Sequence, residues 1–179
     1  MTEIGTVYGE ALYDLAASEA LEQEILEQLK VLEKSFSQEP SFVCLLASHS
    51  LSKDERCGIL EDSFRGKVHL YVLNFLKILT EKGYISRFSD CVTAYEQKYF
   101  VQHNILPVTA VTAVALEDCQ RARLTEKLEK LTGKTVALTN RVDSGVLGGV
   151  RLDFDGKCVD DTVAHRLQSV RHLLNNTIL

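Results

Sequence analysis

Tryptophan is absent from this 179-residue chain, and proline occurs only twice, at positions 40 and 107. With so few prolines, long stretches keep every backbone N–H, and their abundance of Leu, Ala and Glu favours helix. No apolar run approaches the ~18 residues of a membrane span, so direct insertion into a bilayer is not expected. The start of the chain lacks the basic residues and continuous apolar core of a secretory signal. Cysteines 44, 57, 91, 119 and 158 include no CxxC pair and are odd in number. Those inside helical patterns read as small buried hydrophobes, and a reducing cytoplasm is the compartment that fits.

Motifs for chemistry are missing in the same way. Histidines 49, 69, 103, 165 and 172 form no HExxH pair and stand at no zinc-finger spacing to a cysteine. Gly145-x-x-Gly148-Gly149 is glycine-rich, but no lysine follows it and a strand comes next, not a helix, which argues against a phosphate loop. Ser48-His49-Ser50 lies at a helix end outside any GxSxG elbow and reads as a turn. The carboxylate pairs Asp54-Glu55 and Asp160-Asp161 open helices, where capping and the helix dipole explain them. Asn175-Asn176-Thr177 matches a glycosylation triplet but has no secretion signal to make it one. No cofactor, no metal ligand and no catalytic residue is expected.

Charge is present and unevenly spread. Residues 1–104 carry 16 acids and 10 bases, net −6, while 105–179 carry 9 acids and 10 bases, net +1. An acidic leading half repels nucleic acid and suits either a basic partner helix or a solvated acidic face.

Helical spacing is read over Glu3–Ala17, with Ile4, Tyr8, Ala11, Leu12 and Leu15 on one stripe, and over Glu19–Phe36, with Leu21, Ile25, Leu29, Leu32 and Phe36. A short third helix carries Phe42, Leu45 and Leu46. Ser52-Lys53-Asp54-Glu55 is a capping box, opening a fourth helix through Phe64 that Gly66 closes. The fifth, about Val68–Lys82, is apolar nearly all round and so must be covered on most sides; Gly83 stops it. The sixth runs from about Ser86 to His103. At Asn104 the pattern changes. Leu106–Leu116 alternates as a strand, Glu117–Leu131 as a helix, and Lys134–Asn140 as a second strand. Val150, Leu152 and Phe154 form one face of a third strand. Asp155-Gly156 signals a hairpin into a short strand through Val159. A last helix is read over Thr162–Asn175. The expected fold is α+β: a six-helix bundle over residues 1–104, then a small α/β domain over 105–179.

Three stretches together resemble a known family: Tyr8–Ala16 (YGEALYDLA), Asn74–Gly83 (NFLKILTEKG), and Val142–Leu152 (VDSGVLGGVRL) followed by Asp161–Leu167 (DTVAHRL). The third is the most specific. The chain is similar to the delta subunit of bacterial F-type ATP synthase, counterpart of the mitochondrial oligomycin-sensitivity-conferring protein. The resemblance implies a non-catalytic stator adaptor of the peripheral stalk, peripheral to the cytoplasmic face of the bacterial plasma membrane, one copy per complex. Such a subunit resists rotor torque during proton-driven ATP synthesis. It further implies that the N-terminal bundle binds the amphipathic N-terminal helix of an alpha subunit in a groove between the first and fifth helices. The C-terminal domain would bind the ends of the b subunits. On that basis Tyr8, Ala11, Leu15, Asn74 and Ile78 are candidates for the alpha-helix groove; the alternative is that they pack inside the bundle. Asp143, Gly145, Gly148 and Gly149 are candidates for a structural motif, Asp143 forming a turn and the glycines permitting backbone angles or close approach. The family's proline after this aspartate is Ser144 here, and Glu10 stands where a basic residue is usual. A basic RNA-binding module and a small-molecule enzyme are the alternatives; the first lacks its basic stripe, the second a pocket of titratable groups.

Overall fold

A computed structural model of the chain describes residues 2–48, 51–146, 148–154, 156–163 and 165. The chain divides into two compact units, residues 1–99 and 100–179.

The first unit is helical. It holds α1 (Glu3–Ser18), α2 (Glu22–Gln38), α3 (Pro40–Ala47), α4 (Lys53–Phe64) and α5 (Leu70–Glu81), then a 3-10 turn over Ile85–Arg87 and α6 (Phe88–Gln102) as far as residue 99. Local chemistry sets the boundaries. The Thr2 hydroxyl accepts from the Gly5 N–H at 3.4 Å at the start of α1. Ala20 adopts φ +55° between α1 and α2, a conformation that no continuous helix allows. Pro40 takes the first turn of α3, where its missing N–H leaves nothing unpaired. The Ser52–Glu55 capping box is formed in both directions. Gly83 turns left-handed, φ +76°, just past α5.

The helices close on one core. Ile25, Leu29, Leu46, Leu60, Leu76, Leu79 and Tyr95 are fully buried in it. Phe36 sits among the rings of Phe42, Phe64 and Phe88, at centroid distances of 6.0, 6.2 and 5.1 Å. Burial of each such side chain contributes about 1.5–3 kcal/mol.

α1 departs from the face that hydrophobic spacing predicts. Its buried residues are Gly5, Gly9, Leu12, Tyr13 and Ala16. Ile4 and Tyr8 are half-buried, and Ala11 and Leu15 are exposed. The reason is close packing on α6: a Cβ on Gly5 would stand 2.6 Å from the Asp90 Cβ, and one on Gly9 2.8 Å from the Ala94 Cβ. Two glycines four residues apart let the helices meet where larger side chains would hold them apart. The stripe of larger hydrophobes is therefore a second apolar face.

The second unit contains β1 (Ile105–Thr112), α7 (Asp118–Thr132), β2 (Thr135–Val142), β3 (Val150–Phe154) and β4 (Lys157–Asp160). The sheet order is β2-β1-β3-β4. β1 and β2 pair in parallel through the α7 crossover, with Leu106 opposite Val136; β3 runs antiparallel to both β1 and β4. Leu106, Val108, Val136 and Leu128 form the buried core, with Leu152 and Phe154 packed against it. α7 is fixed by a Glu117–Gln120 capping box and by Gly133, φ +67°. β1 ends four residues before the Leu116 expected from its alternating pattern. Asn140 holds the chain in this turn: its amide donates to the Ala110 carbonyl and the Thr112 hydroxyl, each at 2.9 Å, and its oxygen accepts from the Leu116 N–H at 3.0 Å. Most of the helix expected over Thr162–Asn175 lies outside the described residues, as do His49 and Ser50.

Candidate functional site

α1 and α5 enclose a groove of about 430 Å³ lined by Tyr8, Ala11, Leu12, Leu15, Tyr71, Asn74, Phe75 and Ile78. Each helix contributes the same spacing, i, i+3, i+4, i+7, which is one continuous face of an α-helix. Leu12 and Phe75 form the floor and belong also to the core; Leu15 and Ile78 stand in the walls, 44% and 45% exposed. Tyr8 leans on Tyr84, ring centroids 6.2 Å apart. Val7 on α1 and Leu70 on α5 add two more large exposed hydrophobes to these helices.

One charge on each helix is engaged with another helix. Asp14 pairs with Lys98 of α6 at 2.6 Å, and Lys77 pairs with Glu61 of α4. Lys98 also lies 5.7 Å from the Tyr13 ring centre. The Asn74 side chain makes no hydrogen bond to the described residues. Its amide thus offers one donor and one acceptor group in an otherwise apolar channel. A channel of this kind fits a helix laid along it, apolar face down.

All five residues expected at the groove, Tyr8, Ala11, Leu15, Asn74 and Ile78, line this one channel. Its floor residues Leu12 and Phe75, and Tyr71, were not among them. Tyr71 carries the same signal as Tyr8, an aromatic at groove spacing on the apolar fifth helix. A larger hollow of about 560 Å³ lies between α2, α3 and α4, around Phe36, Phe42, Phe64 and Leu45.

The glycine motif of the second unit is structural in geometry. Asp143 donates its N–H to the Thr112 carbonyl at 2.9 Å, extending the β1–β2 ladder by one rung. Its carboxylate accepts from the Gly145 N–H at 2.9 Å, closing a tight turn. Gly149 has φ +89°, and a Cβ there would stand 2.5 Å from the Asp161 carbonyl oxygen. Gly148 is different. A Cβ would meet only the Val163 methyl at 3.5 Å, ordinary contact, and its carbonyl accepts from the Val163 N–H at 3.0 Å. Gly149 thus lets residues 148–150 lie against 161–163, and Gly148 carries no such steric demand.

Shifted protonation follows packing. Burial pushes the Cys91 thiol up to about 11 and raises the Tyr95 phenol, whose hydroxyl donates to the Glu22 carbonyl at 2.9 Å. Hydrogen bonds from Ser52 lower Glu55, and the bond from Lys77 lowers Glu61. Among the described residues no group of three His, Cys, Asp or Glu side chains is placed to hold a metal ion. Nor is any helix there long and apolar enough to cross a membrane.

The family model described as "ATP synthase delta (OSCP) subunit" matches residues 4–174. The ATP synthase subunit delta of Alkaliphilus oremlandii is 33% identical over 172 residues, spanning 96% of each chain. That of Lactobacillus gasseri is 31% identical over 173 residues, covering 96% of this chain and 94% of the other. That of Clostridioides difficile is 30% identical over 176 residues, covering 98% and 97%. The fold is shared with a chain of the Toxoplasma gondii mitochondrial ATP synthase hexamer: TM-score 0.75 over 97% of this chain and 98% of that one, at 16% identity.

Proposed function

This chain belongs to the ATP synthase delta (OSCP) subunit family, a peripheral-stalk subunit of F-type ATP synthase, and from that premise we propose how its two units divide the work. The helical unit takes the amphipathic N-terminal helix of an alpha subunit in the α1–α5 groove. The α/β unit takes the C-terminal ends of the b subunits. The subunit is a non-catalytic adaptor, one copy per complex, on the cytoplasmic face of the membrane.

The observation that carries this reading is the pairing of two identical i, i+3, i+4, i+7 sets across one channel. α5 is 12 residues long, about 18 Å at 1.5 Å per residue, so three turns of a partner helix can lie along it. Leu15 and Ile78 supply apolar contact, small Ala11 admits a close backbone, and Asn74 and the two tyrosine hydroxyls give polar points that set direction. An apolar channel with few charges makes binding depend on burial, which salt screens little. A stalk joint needs that property. It must stay closed under load while the rotor turns, and its task is affinity and stiffness.

Amide hydrogen exchange of the full chain, with and without a peptide of the alpha N-terminus, tests the assignment. New protection concentrated on residues 3–18 and 70–81 supports it. Protection elsewhere, around α2–α4 for example, contradicts it.

A further inference from the structure

Arg56 is the one charged side chain among the described residues that is buried, at 5% exposure. It projects from α4. Its Nη1 donates to the Leu46 carbonyl at 3.1 Å and to the Thr80 carbonyl at 3.4 Å. Leu46 lies in the last turn of α3 and Thr80 in the last turn of α5. The last carbonyls of a helix carry the negative end of its dipole; the Thr80 carbonyl also accepts from the Gly83 N–H at 3.2 Å, so Arg56 adds a second donor there. Two such ends flank this guanidinium, where a buried arginine usually has a carboxylate.

The arrangement is incomplete as a purely stabilising device. Arg56 Nε and the Thr80 hydroxyl are both buried, with no hydrogen-bond partner among the described residues. A buried charge with part of its donors idle is costly, and an apolar chain of similar length would fill the space at less cost. What the guanidinium adds is a tether: one nitrogen, Nη1, reaches the last turns of both α3 and α5. Two residues before Thr80 stands Ile78, a wall of the α1–α5 groove.

We propose that Arg56 is a positioning residue for that groove. It clamps the last turn of α5 to the end of α3, and so holds Ile78 in place for the incoming helix without touching it. The proposal rests on the groove reading given above.

The test uses the full chain, a synthetic peptide of the alpha N-terminus, and three variants: Arg56→Met, Arg56→Lys and Ile78→Asp. Affinity is measured by calorimetry well below the melting temperature, and amide exchange is followed over α1 and the end of α5. If the clamp leaves the last turn in place only about a tenth of the time once removed, the apparent affinity falls roughly tenfold. Arg56→Met is therefore expected to bind roughly tenfold more weakly, with faster exchange at residues 79–83 and unchanged exchange over α1. Arg56→Lys, which keeps the charge on a differently shaped head, recovers part of both. If Ile78→Asp loses binding while Arg56→Met binds like the parent protein, Arg56 has no positioning role. If Ile78→Asp itself binds normally, the groove is not the site and the Arg56 proposal goes with it. Should Arg56→Met not fold, Arg56→Lys decides: unchanged affinity and exchange overturn the proposal, and weaker binding with faster exchange at residues 79–83 supports it.

Discussion

The Cβ that Gly9 lacks would stand 2.4 Å from the carbonyl oxygen of Cys91, a distance no real Cβ tolerates. That contact sets how closely α1 lies on α6, and with it which face of α1 is left over for the groove. Gly9→Ala must push the helices apart and is expected to destabilise the protein by about 1–3 kcal/mol. Gly58, inside α4, has nothing within 4 Å of its missing Cβ. There the same substitution should stabilise by about 0.5–1 kcal/mol, because alanine loses less backbone entropy in a helix. Urea unfolding of the two variants checks the opposite signs.

A second pair of glycines separates in the same manner. Gly149→Ala meets both a left-handed backbone and the Asp161 carbonyl, so a loss of about 1–3 kcal/mol is expected from the strained backbone alone. Gly148→Ala should lie within about 0.5 kcal/mol of the parent. Amide exchange along β3 and β4 distinguishes them: faster in the first variant, unchanged in the second.

Thiol labelling reads the burial of the cysteines. Cys44, Cys119 and Cys158 are exposed, Cys57 is half-buried and Cys91 is buried. With its thiol raised by burial to about 11, Cys91 has almost no thiolate at neutral pH. Cys44 and Cys119 should react quickly with a thiol reagent in the native protein; Cys57, raised by burial, and Cys158, raised by its hydrogen bond to Asp153, more slowly; and Cys91 only on unfolding. Fast reaction of Cys91 would mean that the α1–α6 packing is open.

Asp90 ties the start of α1 to α6, accepting from the Thr2 hydroxyl at 2.7 Å. That hydrogen bond is the main cause of its lowered pKa. A carboxyl whose folded pKa lies below its unfolded one adds stability that is fully present above the ordinary carboxylate pKa. The gain is lost as pH falls through the lowered folded value. Thr2→Val should bring the Asp90 titration, followed by NMR, back toward the ordinary range. It should also lower the melting temperature at neutral pH, and in strong acid that difference should shrink to the part left by the lost Gly5 cap.

Much of the fold was legible in the chain because helix ends announce themselves. Ser52 with Glu55, Pro40, Gly83 and Gly133 each act through local backbone chemistry that tertiary packing did not override. Faces were harder. The large hydrophobes of α1 point to one face, whereas its core face is built on Gly5 and Gly9, and glycine carries no hydrophobic signal. The alternation of β1 continues through Val114 and Leu116, while the turn that ends the strand is held by Asn140, 24 residues beyond Leu116. The groove residues came from a family resemblance together with a surplus of apolar positions on α1 and α5. Arg56 gave no sign of burial, since a charged residue beside a capping box reads as solvent-facing.

The groove is the central claim, and its most direct test is a calorimetric titration of the full chain with a peptide of about 20 residues from the alpha N-terminus of the same organism, a helix of about 30 Å. One-to-one binding is expected. Ala11→Trp, which fills the channel, and Ile78→Asp, which places a charge in its wall, should each weaken binding by tenfold or more while the protein stays folded, a change of about 1.4 kcal/mol. Folded protein that does not bind the peptide, or binding that neither substitution disturbs, would contradict it.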